Sequence, residues 1–200
     1  DEALEAIFTK TFEYLKVGYK ITENRYISAR MIEKIVPFKS SGVWVDVGFG
    51  NGSLLFTAEE YGYKPIGVDL RRENVSILLG VGIEAHCNLV QNIEFEQPIS
   101  VVSMCDVLEH IPYPKEILTS LYSKMDEDGC LLISMPNSET MIWKQLTAQN
   151  GNPYFNTIEH CHNFSKTRLE SLLNECGFSM KRYGISERYL SGMEIVAQKS

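Results

Sequence analysis

The 200-residue chain is 44% hydrophobic and 22% charged, a balance that suits one globular domain with a sizeable core. Its formal net charge of -7, with no dense Lys/Arg stripe, argues against a surface built for nucleic-acid phosphates; Arg71-Arg72 and Lys181-Arg182 are isolated pairs expected to be solvated. The cysteines, five in all and without C-x-x-C spacing, read as reduced thiols of a cytoplasmic protein, with Cys87, Cys105 and Cys130 expected as buried strand residues, and no apolar run is long enough to cross a bilayer.

Residues 1–36 carry Ile7, Phe8, Phe12 and Leu15, then Tyr26, Ile32 and Ile35, at helical intervals broken near Gly18, which predicts two helices ahead of the first strand. They are read first as a scaffold over the sheet edge, with Tyr19, Arg25 and Tyr26 as a lesser candidate for substrate contact. The start has no basic stretch followed by an apolar one, and because it begins with Asp1 an upstream segment stays open. Strands at 43–47, 65–69, 83–86 and 100–105 then alternate with helices at 52–61, 71–79 and 114–125. That alternation predicts a mostly parallel sheet covered on both faces. A strand at 130–135 is closed by Pro136, a helix bearing Leu169, Leu172, Leu173 and Cys176 ends at Gly177, and strands near 178–185 and 192–198 finish the sheet. No repeat, low-complexity tract or linker divides the chain. The loosest stretch, Ser138 to Asn163, holds Trp143, Tyr154 and Phe155 among polar residues and reads as a flap that touches substrate.

The chemistry concentrates where the first strand ends. Val43 to Val47 is apolar apart from Asp46 and runs into Gly48, Gly50 and Gly52, three glycines that leave little side chain to obstruct a ligand. The dinucleotide fingerprint wants G-x-G-x-x-G, so pyrophosphate is the poorer occupant. Asp69, closing the second strand, stands where a ribose diol would be gripped.

Asp46-Val47-Gly48-Phe49-Gly50-Asn51-Gly52 with Gly67-Val68-Asp69 resembles the class I S-adenosylmethionine-dependent methyltransferases. Met104 to Pro112 and Asp128 to Asn137 resemble the fourth- and fifth-strand motifs of their small-molecule branch, which includes the quinone-biosynthesis O-methyltransferases. Glu159 to Ser165, followed by Leu169, Leu172 and Gly177-Phe178, is similar to that branch ahead of its last helix. The likeness covers residues 40 to 200 in order. It implies an α/β fold: a single doubly wound, mostly parallel seven-stranded sheet of the Rossmann-like methyltransferase type with N-terminal helices. One domain would cover residues 1–200, with 1–38 as a helical lid and 39–200 as the core.

The same resemblance implies S-adenosylmethionine as cofactor, lying along Gly48, Gly50 and Gly52, with Asp69 on the ribose. Asn88 and Leu89 would edge the adenine, Cys105 and Asp106 would flank the methionyl group, and Asp46 would position the loop or reach the ammonium through water. The expected reaction methylates a small-molecule acceptor, first of all on a hydroxyl oxygen and less readily on nitrogen or carbon. Methyl transfer needs alignment and exclusion of water more than a covalent nucleophile, and a hydroxyl acceptor gains from a general base. His110, Glu109, His160 and His162 are the candidates, histidine being favoured because it titrates near neutrality. No metal is assigned, although Asp106, Glu109 and His110 match positions that some quinone-type enzymes use for a divalent ion, Mg²⁺ or Zn²⁺. The Asn/Asp-Pro-Pro-aromatic signature of DNA amino-methyltransferases is absent after the fourth strand. The alternatives are a cofactor-binding protein without catalysis and a nucleotide- or NAD-binding module on a similar sheet. Oligomeric state is not encoded in any motif.

Overall fold

In a computed structural model, residues 9–10, 12–155, 157–188 and 191–200 are described. The strands β1 (Gly42–Val47), β2 (Tyr63–Val68), β3 (Glu84–His86), β4 (Ile99–Cys105), β5 (Met125–Pro136), β6 (Phe178–Ile185) and β7 (Gly192–Lys199) form one sheet in the order β3-β2-β1-β4-β5-β7-β6. The pairs from β3 through β5 are parallel, and β7 runs antiparallel to both of its neighbours. The order reverses between β1 and β4, the place where open α/β sheets leave a crevice beyond their carboxyl ends. Pro65, which has no N–H to give, sits opposite Trp44 of β1 but ahead of the point where β3 begins to pair, at Ile66.

Strand alternation sends successive side chains to opposite faces, and helices cover both. On one face Val43, Val45, Val102 and Met104 pack against α4 (Pro114–Lys124) and α6 (Lys166–Glu175) through Leu118, Leu121, Leu169 and Leu172. On the other, Trp44, Val101, Cys105, Cys130 and Leu132 meet Met31, Ile32 and Ile35 of α1 (Ile21–Ile35) and Leu54 and Ala58 of α2 (Ser53–Glu60). A smaller cluster ties Phe49 and Leu55 to Val75 and Leu78 of α3 (Arg72–Gly80). These are the two covered faces of a doubly wound sheet, as the alternation of elements predicts. Gly177 takes φ 86° directly after α6, the left-handed stop expected of it.

The structure departs from the sequence reading in three places. Ahead of β1 the described residues hold one α-helix, α1, and a 3-10 turn at Glu13–Leu15; Ile7 and Phe8 lie outside the described residues. Gly18 (φ 88°) and Lys20 (φ 46°) bend the backbone there; Gly18 N and Tyr19 O bond to Asn51 of the glycine loop, and Leu15 O accepts from Asn74 of α3. The stretch from Ser138 to Asn163 contains a helix, α5 (Met141–Ala148), whose first turn is held by Thr140 Oγ1 accepting from Trp143 N. Finally, Cys87 is half-buried where a buried thiol was expected; Cys105 and Cys130 are buried.

Candidate active site

At the carboxyl end of β1, Gly48 N donates to Val68 O at 2.7 Å and Gly52 N to Phe49 O at 2.9 Å, so the glycine run closes into a tight turn against β2. Gly48, Gly50 and Gly52 sit at φ 70°, 53° and 77°, a region that costs other L-residues about 1–2 kcal/mol each. Space matters as well: a Cβ on Gly48 would lie 2.7 Å from Val107 Cγ2. Phe49 turns inward and is buried, and its ring takes the room a Cβ on Gly67 would need, at 2.8 Å. Asn51 Oδ1 accepts from Ser53 N at 3.1 Å and opens α2. The outcome is a strip of backbone without side chains, which fits an extended small cofactor.

Asp69 is buried beside this strip. One carboxylate oxygen accepts from Gly50 N at 3.3 Å, the other from Arg71 N at 2.9 Å, and Arg71 Nη1 reaches both at 3.0 Å. Burial raises the Asp69 carboxyl, and Arg71 and the two amide donors oppose that rise. Arg71, expected in solvent, is instead only 13% exposed, because the turn after β2 folds it back onto the carboxylate. Asn88 and Leu89 follow β3 and are exposed, with Asn88 Oδ1 accepting from Leu89 N.

Asp46 is buried on the α1 face of β1. Trp44 Nε1 donates to Ser103 Oγ at 2.8 Å, and Ser103 Oγ donates to Asp46 Oδ1 at 2.6 Å. Asp46 and Ser103 are register partners on adjacent strands, which is why the short hydroxymethyl side chain of serine suffices. Burial pushes the Asp46 carboxyl up to about 7 despite Ser103 and the charge of Arg188. Cys105, one pleat beyond Ser103, is buried and its thiol is pushed far up, so it is not a nucleophile. Asp106 follows with φ 57°, its N–H on Ser134 O at 2.8 Å. A left-handed Asp between the glycine loop and the next polar cluster is the kind of local cost that gathers at functional sites.

That next cluster is Glu109, His110 and His160. One ligating atom from each lies within 4.8 Å of the others. The loop is brought back by His162 N donating to Glu109 O at 3.0 Å, and the His110 and His160 rings meet edge to face at 4.7 Å. His110 Nδ1 lies 2.8 Å from Glu159 O; since a carbonyl only accepts, Nδ1 carries a hydrogen. Burial and the neighbouring His110 lower His160, which favours its neutral form. Glu109 is 2% exposed, neither carboxyl oxygen has a hydrogen-bond partner, and burial with the charge of Asp106 pushes it up to about 8. His162 sits apart: its Nε2 faces Pro112 O at 3.1 Å, and its ring lines an open groove of about 690 Å³ between α4 and α6.

Sequence reasoning passed over Ser103, Arg71 and Asn74. A signal existed for Ser103, one of two hydroxyls in an otherwise apolar central strand. Asn74, fully buried on α3, donates from Nδ2 to both Gly50 O at 3.0 Å and Leu15 O at 2.8 Å, a role its place in a polar helix start did not advertise.

A family model described as a methyltransferase domain matches residues 21–182. The chain is 29% identical over 107 residues to a ubiquinone biosynthesis O-methyltransferase of Idiomarina loihiensis, covering 50% of this chain and 44% of that protein. It is 26% identical over 159 residues to a protein of the same description from Chromobacterium violaceum, covering 74% and 66%. The matched regions thus span less than two thirds of either relative. The crystal structure of magnesium protoporphyrin IX methyltransferase from Synechocystis with bound SAH superposes with a TM-score of 0.68 at 19% identity, covering 89% of this chain and 84% of that one. The chain belongs to the methyltransferase-domain family, and it shares its fold with the neighbour solved with bound SAH. Within that family it is similar to the ubiquinone biosynthesis O-methyltransferases. No helix among the described residues is long and apolar enough to cross a membrane.

Proposed function

We propose that the chain methylates a hydroxyl oxygen of a small-molecule acceptor, with a catechol-like aromatic as the first candidate. The observation that carries this reading is the convergence of Glu109, His110 and His160 beside the left-handed Asp106, at the same edge of the sheet as the glycine loop. When bound, S-adenosylmethionine supplies a methyl group on a sulfonium, an already activated leaving group. Gly48, Gly50 and Gly52 would seat it, Asp69 would take the ribose hydroxyls in place of Arg71, and Asp46 would favour its positive charge. Asp106 and Cys105 would border the methionyl part, and Asn88 with Leu89 the adenine. His110 Nε2, or His160, would accept the hydroxyl proton as the acceptor oxygen becomes nucleophilic. Residues 1–38 would act as a lid on the core at 39–200. The acidic surface supports a metabolite over a nucleic acid, and the free cysteines support a cytoplasmic setting.

A divalent cation fits the same three side chains, since a buried carboxylate without partners and two imidazoles are a suitable donor set. It would supply Lewis acidity to the acceptor oxygen. The test is transfer from a tritiated methyl donor to a panel of catechols, alcohols and amines. Label on oxygen, lost in His110→Ala and His160→Ala, is the expected result; label confined to amines would overturn the hydroxyl assignment. Chelation that abolishes transfer, with recovery on adding Mg²⁺ or Zn²⁺, selects the metal reading over the free base.

A further inference from the structure

We infer that Asn74 is a positioning residue that latches the segment 12–20 onto the cofactor loop, so that cofactor binding and closure of that segment are coupled. This inference rests on the cofactor assignment and goes beyond it by naming the coupling residue.

Val17 packs against the cluster of Phe49, Leu55, Val75 and Leu78, and the hydrogen bonds that fix the segment run to the loop. Gly18 N donates to Asn51 O at 3.0 Å, and Asn51 Nδ2 donates to Tyr19 O at 3.3 Å. Leu15 rests on Gly50, its Cδ2 being 3.6 Å from where a Cβ would stand. Joining the two is the Asn74 carboxamide, fully buried, whose single nitrogen donates to the carbonyls of Gly50 and Leu15 together. Its Oδ1 is buried with no partner, so the side chain is oriented entirely by those two carbonyls. A residue that served only to stabilise α3 would not leave an acceptor buried and unpaired in order to reach both segments.

The consequence follows from linkage. These anchors are made with Gly50 and Asn51 in the conformation in which Gly50 N reaches Asp69. A ligand that favours this loop conformation therefore favours the closed segment, and the closed segment favours the ligand by the same factor. Asn74→Asp keeps the shape but sets a carboxylate against two carbonyl oxygens. Loss of two hydrogen bonds of ordinary net strength translates into about a tenfold weaker cofactor affinity.

The experiment uses S-adenosylhomocysteine as the probe, calorimetry for affinity and amide hydrogen exchange across residues 12–20. In the parent, the probe should slow exchange in that segment. In Asn74→Asp, affinity should fall about tenfold and the ligand-dependent protection should vanish, while amides of β4 and β5 keep their protection. Leu15→Ala, a half-buried position that leaves α3 intact, should weaken binding in the same direction, and it decides the question alone if Asn74→Asp does not fold. Parent-like affinity in both variants, or exchange in 12–20 that ignores the probe in the parent, would overturn the latch. A parent chain that binds no probe at all would instead overturn the cofactor assignment on which the latch depends.

Discussion

Replacing Asp46 by Asn should stabilise the ligand-free protein while weakening its hold on the cofactor. Asp46 is buried, and its carboxyl is raised from the usual 3.8 to about 7, chiefly by burial. A raised acid binds its proton more tightly in the native state than in the unfolded chain, so native stability falls as pH climbs from the unfolded value to the folded one. At about 1.4 kcal/mol per tenfold, the interval corresponds to a penalty of roughly 4 kcal/mol, complete above neutrality and absent near pH 4. Asn carries no charge and can still accept the Ser103 hydroxyl through Oδ1. For a chain of this size the penalty corresponds to a melting temperature on the order of 10 °C higher in the variant at pH 8, with the gap closing as pH falls. Scanning calorimetry of both proteins at pH 5 and pH 8 measures it. A gap that does not change with pH, or a variant less stable than the parent at pH 8, would refute the reasoning. Titration with S-adenosylmethionine completes the test, because the ionised carboxylate that burdens the empty protein is the group a cationic ligand rewards.

Two further substitutions probe the loop. Asp69→Ala removes the acceptor of Gly50 N and Arg71 and should weaken cofactor binding by roughly 1.5–3 kcal/mol, ten- to a hundredfold, by calorimetry. Gly48→Ala and Gly50→Ala share the cost of a positive φ, but only the first drives a methyl to 2.7 Å from Val107 Cγ2, whereas the second meets Leu15 Cδ2 at 3.6 Å. Urea denaturation should therefore show Gly48→Ala the less stable of the two, and equal midpoints would remove Val107 from the account.

The sheet and its loop were readable from the chain because each rests on a local pattern. Val43 to Gly52 encodes a buried strand and a turn that only glycine tolerates, and Gly177 encodes the end of α6. What escaped was decided by the return of distant segments. α5 hid because Met141 and Ile142 face outward, so the apolar residues do not trace one inward stripe, and only Thr140 and the buried Trp143 mark it. Arg71 looked like half of a solvated pair because its partner, Asp69, depends on the turn between them. His160 and His162 were indistinguishable as residue types; the bond from His162 N to Glu109 O is what swings one ring toward His110 and the other toward Pro112.

The antiparallel β7 has a consequence for biosynthesis. It lies between β5 and β6, so neither has a lateral partner on that side until residues 192–199 have left the ribosome. Until then the nascent polypeptide displays the bare, apolar flank of β5, a template for intermolecular pairing. Mutations that slow the docking of this one strand should therefore lower soluble yield well before they lower the melting temperature of the folded protein.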